Sequence, residues 1–351
     1  MEALRTYLRR TMMLAFYLLA GSLLVGTAVV WMPVTAVIDA VRKTSYLRCI
    51  CFFAVFLWVG LFHLAWVGVR FLGKGGPFRD GGHAYLTVLW AIQLSWGNSL
   101  FRAGCWLFRL RVEVEGAKEA MRAPGPVLVF SRHVSFVDTI LPFWLFKPRP
   151  PFQPRYIMKR ELKWDPCIDI VGGRLPNAFV RRNSSDPARE VAVVTGLMDG
   201  IGPADVVIIY PEGTRFTPRK RQSIIDRLRE KGDEVGAVRA EAYTNVLPPR
   251  PGGALGLIEK RATDVIFLAH TGLERIRTLR NIVDGSLVGT TLRLALWRIS
   301  AQTFPAGREA LTAWLYTRWS EVDEWVGRAM LADASPRAAG PGERIAAGPR
   351  L

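Results

Sequence analysis

The chain is poor in cysteine, in histidine and in acidic residues, and each shortage removes a class of chemistry. Its four cysteines make no framework: Cys49 and Cys51 lie in an apolar run, and Cys105 and Cys167 are isolated. No disulfide or zinc pattern is visible, which is compatible with a reducing cytoplasmic setting. There is no G-x-S-x-G, no P-loop and no H-E-x-x-H, which argues against a serine hydrolase, a nucleotide phosphotransferase and a zinc protease. Only 30 acidic residues face 47 lysines and arginines, leaving a formal net charge of +17. Nucleic acid is one partner for such a charge, but no binding module is recognisable. Two further readings remain for the basic run Arg219, Lys220, Arg221, Arg227, Arg229 and Lys231. It faces anionic lipid headgroups, at ~1 kcal/mol per residue, or it is a solvated helix face.

Charge is missing altogether from Thr11 to Ile38. As a helix that run is about 42 Å long, more than the ~30 Å of a bilayer core. Gly21, Gly26 and Pro33 lie within it and predict a kink, or a span that ends near Trp31. Cys49 to Val69 is a second apolar run of spanning length. Arg5, Arg9 and Arg10 precede the first run as they would in a signal peptide, but the run is long for that and a second follows closely. The expectation is a membrane hairpin over residues 1–75, spanning or re-entrant, with the amino terminus and the rest of the chain on one, cytoplasmic, side. Arg42, Lys43 and Arg48 in the connection weaken the charge rule for that orientation. Residues 76–109, with Trp90, Trp96 and Trp106, predict an interfacial or linking helix, or a buried one.

From Leu110 onward strands alternate with helical stretches, near Val127, Tyr156, Phe179, Val206, Val265 and Leu292. The pattern predicts an α/β domain over 110–331, a mixed sheet covered by helices. The stripe Leu311, Trp314, Leu315, Val322, Trp325 and Val326 on the last helix fits core packing or membrane docking. The tail, 332–351, is rich in Pro, Gly, Ala and Arg and predicts disorder.

Two of the strands carry the chemistry. Val127–Phe130 runs into Ser131, Arg132 and His133, and Asp138 follows five residues after the histidine. On a regular helix those two would point about 140° apart, so they can meet only across a turn. There the carboxylate would fix the tautomer and leave the other imidazole nitrogen free as a base. The second run, Val206–Tyr210, opens onto Pro211, Glu212, Gly213, Thr214 and Arg215. Arg215 offers a planar fork suited to phosphate oxygens, with Arg182 as a second cation and a surface salt bridge as the plainer reading of Arg215. Glu212 reads as a residue that orients an arginine or binds a substrate hydroxyl, and Gly213 as a place where backbone approaches a ligand. Of the other histidines, His63 reads as a packing or interfacial residue. His270 follows a strand and could line a pocket.

His133-x-x-x-x-Asp138 followed by Pro211-Glu212-Gly213-Thr214-Arg215 resembles the signature of the glycerolipid acyltransferases, which include 1-acylglycerol-3-phosphate and related lysophospholipid acyltransferases. Phe179, Val180 and Arg182 resemble that family's F-[IV]-x-R block, with Pro176 where a glycine is expected. Lys159, Glu161 and Leu162 match its K-x-E-L run, and Leu247, Pro249, Arg250, Gly252 and Gly253 its L-x-P-R-x-G-G segment. Val265–Ala269 stands for a fourth block but lacks the usual proline. The resemblance, over roughly residues 110–299, implies a glycerolipid acyltransferase-like fold and a membrane-bound enzyme that moves an acyl group from acyl-CoA or acyl carrier protein to a lysophospholipid. The leading acceptor is the sn-2 hydroxyl of 1-acylglycerol-3-phosphate, giving phosphatidic acid. It implies His133 and Asp138 as catalytic residues. Glu212, Gly213, Thr214, Arg215, Arg182, Phe179 and Lys159 would bind substrate, with no metal and no resident cofactor. Another lysophospholipid or a lyso-amino-lipid is the alternative acceptor. A non-catalytic membrane-shaping protein is the alternative of another class.

Overall fold

A computed structural model describes residues 1–72, 83–146, 152–180 and 187–334. The second cation, Arg182, and the tail from 335 onward lie outside the described residues. Among those described are seven strands: β1 (Arg111–Glu115), β2 (Val127–Ser131), β3 (Gln153–Lys159), β4 (Ala178–Val180), β5 (Asp205–Ile209), β6 (Asp264–Thr271) and β7 (Thr291–Ile299). The chain divides into two compact units, one of Met1–Leu110, Ile140–Asn183 and Leu279–Thr290, the other of the remaining segments. Residues 140–183 and 279–290 therefore cluster with the amino-terminal helices, where the sequence pattern had grouped them with the rest of 110–331.

The first unit is built on helices α1 (Glu2–Gly26), α2 (Ala28–Arg42), α3 (Tyr46–Leu72) and α4 (His83–Phe108). The long apolar run makes two helices. It breaks at Thr27, whose hydroxyl donates back to the Leu23 carbonyl at 2.7 Å, and Pro33 is accommodated inside α2. Two helices, Ala3–Gly26 and Tyr46–Arg70, are long and apolar enough to cross a membrane by length and composition. The carboxylate of Asp39 caps α3, accepting the N–H groups of Tyr46 and Leu47 at 2.8 and 2.9 Å, donors that a helix start leaves without partners. α4 is packed rather than laid with its indoles outward: Trp90 and Trp96 are buried, and Trp106 is 79% exposed. Gly97 permits that packing, because a Cβ there would lie 2.4 Å from the Phe143 ring. His63 is likewise buried, its Nδ1 2.7 Å from the Val59 carbonyl one turn back.

Hydrogen bonds explain why the later segments join these helices. Tyr17 donates to Asp165 at 2.7 Å, and Arg9 and Arg10 both pair with the buried carboxylate of Asp169 at 2.9 and 2.7 Å. Trp90 Nε1 donates to the Pro154 carbonyl at 3.1 Å. The Ser45 N–H reaches Val283 at 2.8 Å and the Gly289 N–H reaches Phe108 at 2.8 Å. β3 and β4 pair in parallel in this unit, Met158 opposite Phe179 and Lys159 opposite Val180. Pro176 sits in the turn just before β4.

The second unit carries a mixed sheet in the order β1, β7, β6, β2, β5. β2 lies parallel to both β5 and β6, and β7 runs antiparallel to β6 and parallel to β1. Every residue of β2 and β5 is buried, as expected of parallel strands covered on both faces, which read as continuous apolar runs rather than alternating ones. Each Val, Leu or Ile so buried contributes about 1.5–3 kcal/mol. Helices over Pro187–Thr195, Pro218–Glu230, Glu234–Glu241, Pro251–Lys260 and Arg308–Ala334 belong to this unit. Pro218 sits in the first turn of its helix and Thr217 caps it through Lys220 N–H, a favoured start. Of the stripe on the last helix, Leu311, Leu315, Val322 and Val326 are buried and Trp314 and Trp325 half-buried, and Trp319 beside them is buried as well.

Candidate active site

The register of the three central strands assembles the site. Phe130 lies opposite Ile209 on one side and Phe267 on the other. Three residues beyond that level, at the carboxyl ends where open α/β sheets place their ligands, come His133, Glu212 and His270. The chain leaves β2 in a turn that returns Asp138 to the start of a short 3₁₀ helix. His133 Nδ1 then lies 2.9 Å from Asp138 Oδ1, the contact that the five-residue spacing requires. Asp138 Oδ2 accepts the N–H groups of Val134 and Ser135 at 2.7 and 2.8 Å. Burial opposes ionisation of this carboxyl, but His133, His270 and the Ser135 N–H together hold it below the usual carboxylate range. The His133 ring also leans on Tyr210, centroids 4.5 Å apart, and its side chain keeps 14% exposure.

The backbone of His133 is fixed as well. Its N–H donates to Glu212 Oε1 at 2.8 Å and its carbonyl accepts from Phe216 N–H at 2.7 Å. The other oxygen of Glu212 takes the N–H of Leu247 at 2.9 Å. Within the chain, Glu212 orients backbone, through these two N–H groups, rather than an arginine side chain. Burial pushes its carboxyl up to about 8, against the opposing pull of these two N–H groups and Arg132. Gly213 has φ +66°, and a Cβ there would stand 3.0 Å from Arg250 Cδ. The glycine is therefore needed for a left-handed turn and for the close approach of Arg250, where the sequence suggested the approach of a ligand.

Thr214 and Arg215 lie further out. The Thr214 hydroxyl and the Arg215 carbonyl both accept from Lys220 Nζ, at 2.8 and 3.0 Å. Arg215 Nη1 donates to the Arg277 carbonyl at 3.1 Å, so its described partner is a main-chain oxygen and not the carboxylate of a surface salt bridge. Part of the basic run is likewise engaged in the fold: Arg221 holds the carbonyls of Tyr243 and Glu241, and Arg229 pairs with Glu241. Lys159 ends β3 and Phe179 lies in β4, both in the first unit, where the Phe179 ring takes Lys163 Nζ at 4.3 Å from its centre.

Several residues behind His133 were not singled out by sequence. Arg132 is fully buried, and its guanidinium bonds the carbonyls of His270 and Asn245 at 2.6 and 2.9 Å and Glu274 Oε1 at 2.6 Å. That pairing holds the Glu274 carboxyl below its usual range although burial opposes it. Asp323, on the last helix, accepts the N–H groups of Asn245 and Val246 at 2.6 and 2.9 Å, fixing the loop that carries Leu247. The one signal for this layer was the Leu247–Gly253 block, which contains Arg250. Among the described residues no group of three or more His, Cys, Asp or Glu side chains could hold a metal ion.

Comparison with known proteins finds two similarities. The model of the acyltransferase family matches residues 111–253. The fold is similar to the crystal structure of the 1-acyl-sn-glycerophosphate (LPA) acyltransferase PlsC from Thermotoga maritima, with a TM-score of 0.50 and 17% identity over 85% of this chain and 100% of that one. No curated protein sequence matches the chain.

Proposed function

We propose, from the match of the acyltransferase family model to residues 111–253, a membrane-bound enzyme of the glycerolipid acyltransferase kind that acylates the sn-2 hydroxyl of 1-acylglycerol-3-phosphate to give phosphatidic acid, with acyl-CoA as donor. The observation that carries the reaction is the 2.9 Å contact between His133 Nδ1 and a buried Asp138 carboxylate. It leaves Nε2 as the basic nitrogen. As the acceptor oxygen attacks the thioester carbonyl, Nε2 takes the hydroxyl proton and Asp138 stabilises the imidazolium. The tetrahedral intermediate collapses with loss of the thiolate, to which the imidazolium returns the proton. No acyl-enzyme is required.

The acceptor in this reading is supported by the fold shared with a lysophosphatidic acid acyltransferase and by the cations at the loop after β5. Arg215 would take phosphate oxygens in a bidentate pair, with Arg250 adding charge over Gly213 and Arg182 as a second phosphate ligand. Lys159, Phe179 and Thr214 enter as substrate contacts through the family resemblance. The helices Ala3–Gly26 and Tyr46–Arg70 would hold the enzyme in the bilayer that supplies its lipid substrate, with the acyltransferase domain on the cytoplasmic side.

The test is product detection by mass spectrometry. Detergent-purified wild type and His133→Ala are offered one acyl-CoA and a panel of lysophospholipids and lyso-amino-lipids. Phosphatidic acid from wild type alone is the expected result. Another diacyl product reassigns the acceptor. Product only with acyl carrier protein reassigns the donor, and no product with either donor leaves a non-catalytic membrane protein.

A further inference from the structure

One buried histidine has no part in the reaction as written. His270 is completely buried at the end of β6, and its Nε2 lies 3.0 Å from the Arg132 carbonyl and 3.7 Å from Asp138 Oδ2. A carbonyl only accepts, so Nε2 carries the proton. Nδ1 is buried and has no hydrogen-bond partner among the described residues. Burial, the largest influence on it, lowers the pKa of this imidazole.

The Arg132 carbonyl and the His133 N–H belong to one peptide plane. His270 holds the carbonyl edge of that plane, and Glu212 holds the N–H edge at 2.8 Å. The Arg132 side chain closes the arrangement by bonding the main-chain carbonyl of His270 itself at 2.6 Å. Rotation of this peptide would swing the His133 Cα–Cβ bond and with it the ring that must reach both Asp138 and the acceptor. We propose that His270 is a positioning residue for acyl transfer. Its Nε2–H fixes the Arg132–His133 peptide, so that His133 keeps Nδ1 on Asp138 and Nε2 toward the acceptor hydroxyl. The inference rests on the acyltransferase reading and goes beyond it.

The test compares His270→Gln, whose amide N–H reaches the place of Nε2, with His270→Leu and with His270→Asn, whose shorter amide does not. In Leu and Asn variants that keep the wild-type circular dichroism spectrum, kcat is expected to fall about ten- to hundredfold, the scale of a small misplacement of a reacting group. KM for donor and acceptor should stay within about twofold, since an interaction lost only on the way to the transition state lowers kcat. Gln should keep most of the activity. The downfield proton resonance of His133 Nδ1–H on Asp138 should persist in wild type and Gln and be lost or shifted in Leu and Asn. Equal kcat losses in Gln and Asn, or wild-type kcat in Leu, would overturn the proposal. Should wild type transfer no acyl group to any acceptor, the activity reading fails instead. The resonance, which needs no turnover, would then still decide whether His270 positions His133.

Discussion

The two ends of the candidate site are built to different degrees of constraint. At His133 the side chain, the N–H and the carbonyl each have a partner within 3.0 Å, and the partners are themselves buried or main chain. At Arg215 the side chain is half-buried and its described bond runs to a single main-chain oxygen at 3.1 Å. Proton transfer between fixed groups demands orientation, whereas grasping a phosphate demands charge that can adjust to it. In the proposed reaction the difference would separate a rigid corner for chemistry from a looser one for recognition, and it can be broken from either side.

The largest break is at the rigid corner. His133→Ala should lower acyl transfer by at least ~100-fold with the fold intact by circular dichroism, and the loss should be equal for all acceptors. A folded variant that retains activity would remove His133 from the mechanism. At the looser corner Arg215→Ala should raise KM about ten- to hundredfold for acceptors bearing a phosphate monoester, the worth of a charge-assisted bond, and much less for acceptors without one. Equal losses for both would count against phosphate recognition.

A finer probe uses Glu212, whose buried carboxyl is raised to about 8. A carboxyl raised on folding contributes stability that is full below its unfolded pKa of about 4.3 and is lost as pH rises through the folded value. Wild type should therefore lose melting temperature relative to Glu212→Gln between about pH 5 and about pH 8. The amide leaves one N–H badly met, at roughly 1–3 kcal/mol, so the slope with pH and not the level is diagnostic. Parallel curves would show that Glu212 is ionised throughout. The smallest effect is expected at Gly213→Ala, about 1–2 kcal/mol from the left-handed backbone, together with a modest rise in acceptor KM as Arg250 is displaced. Chemical denaturation and steady-state kinetics measure the two parts.

How much of this was legible in the sequence follows from how far its signals travel along the chain. His133 and Asp138 lie within one turn, and Glu212 comes three residues after a strand whose apolar run is plain, so local pattern and the family resemblance pointed to all three. Arg132, His270, Glu274 and Asp323 come together only through the parallel register of β2 with β6 and the docking of the last helix. A residue 138 positions away leaves no periodic trace. The break at Thr27 falls beside Gly26, one of the positions at which the sequence predicts a kink, but an uninterrupted apolar run does not say which of them ends a helix. A threonine hydroxyl bonded to Leu23 marks it instead. Gly213 shows a correct residue with an incomplete reason. The turn was foreseeable, but its neighbour Arg250, 37 positions on, was not.

The bonds from Asp323 to the loop at Asn245 and Val246 also impose an order on synthesis. That loop supplies Leu247 to Glu212 and Asn245 to Arg132, so the base near the middle of the chain is braced by a carboxylate close to its end. A nascent polypeptide can form its apolar helices, and β2 can leave the ribosome, long before this brace exists. A premature stop before Asp323 would release a chain that keeps both sequence signatures and lacks the brace behind them.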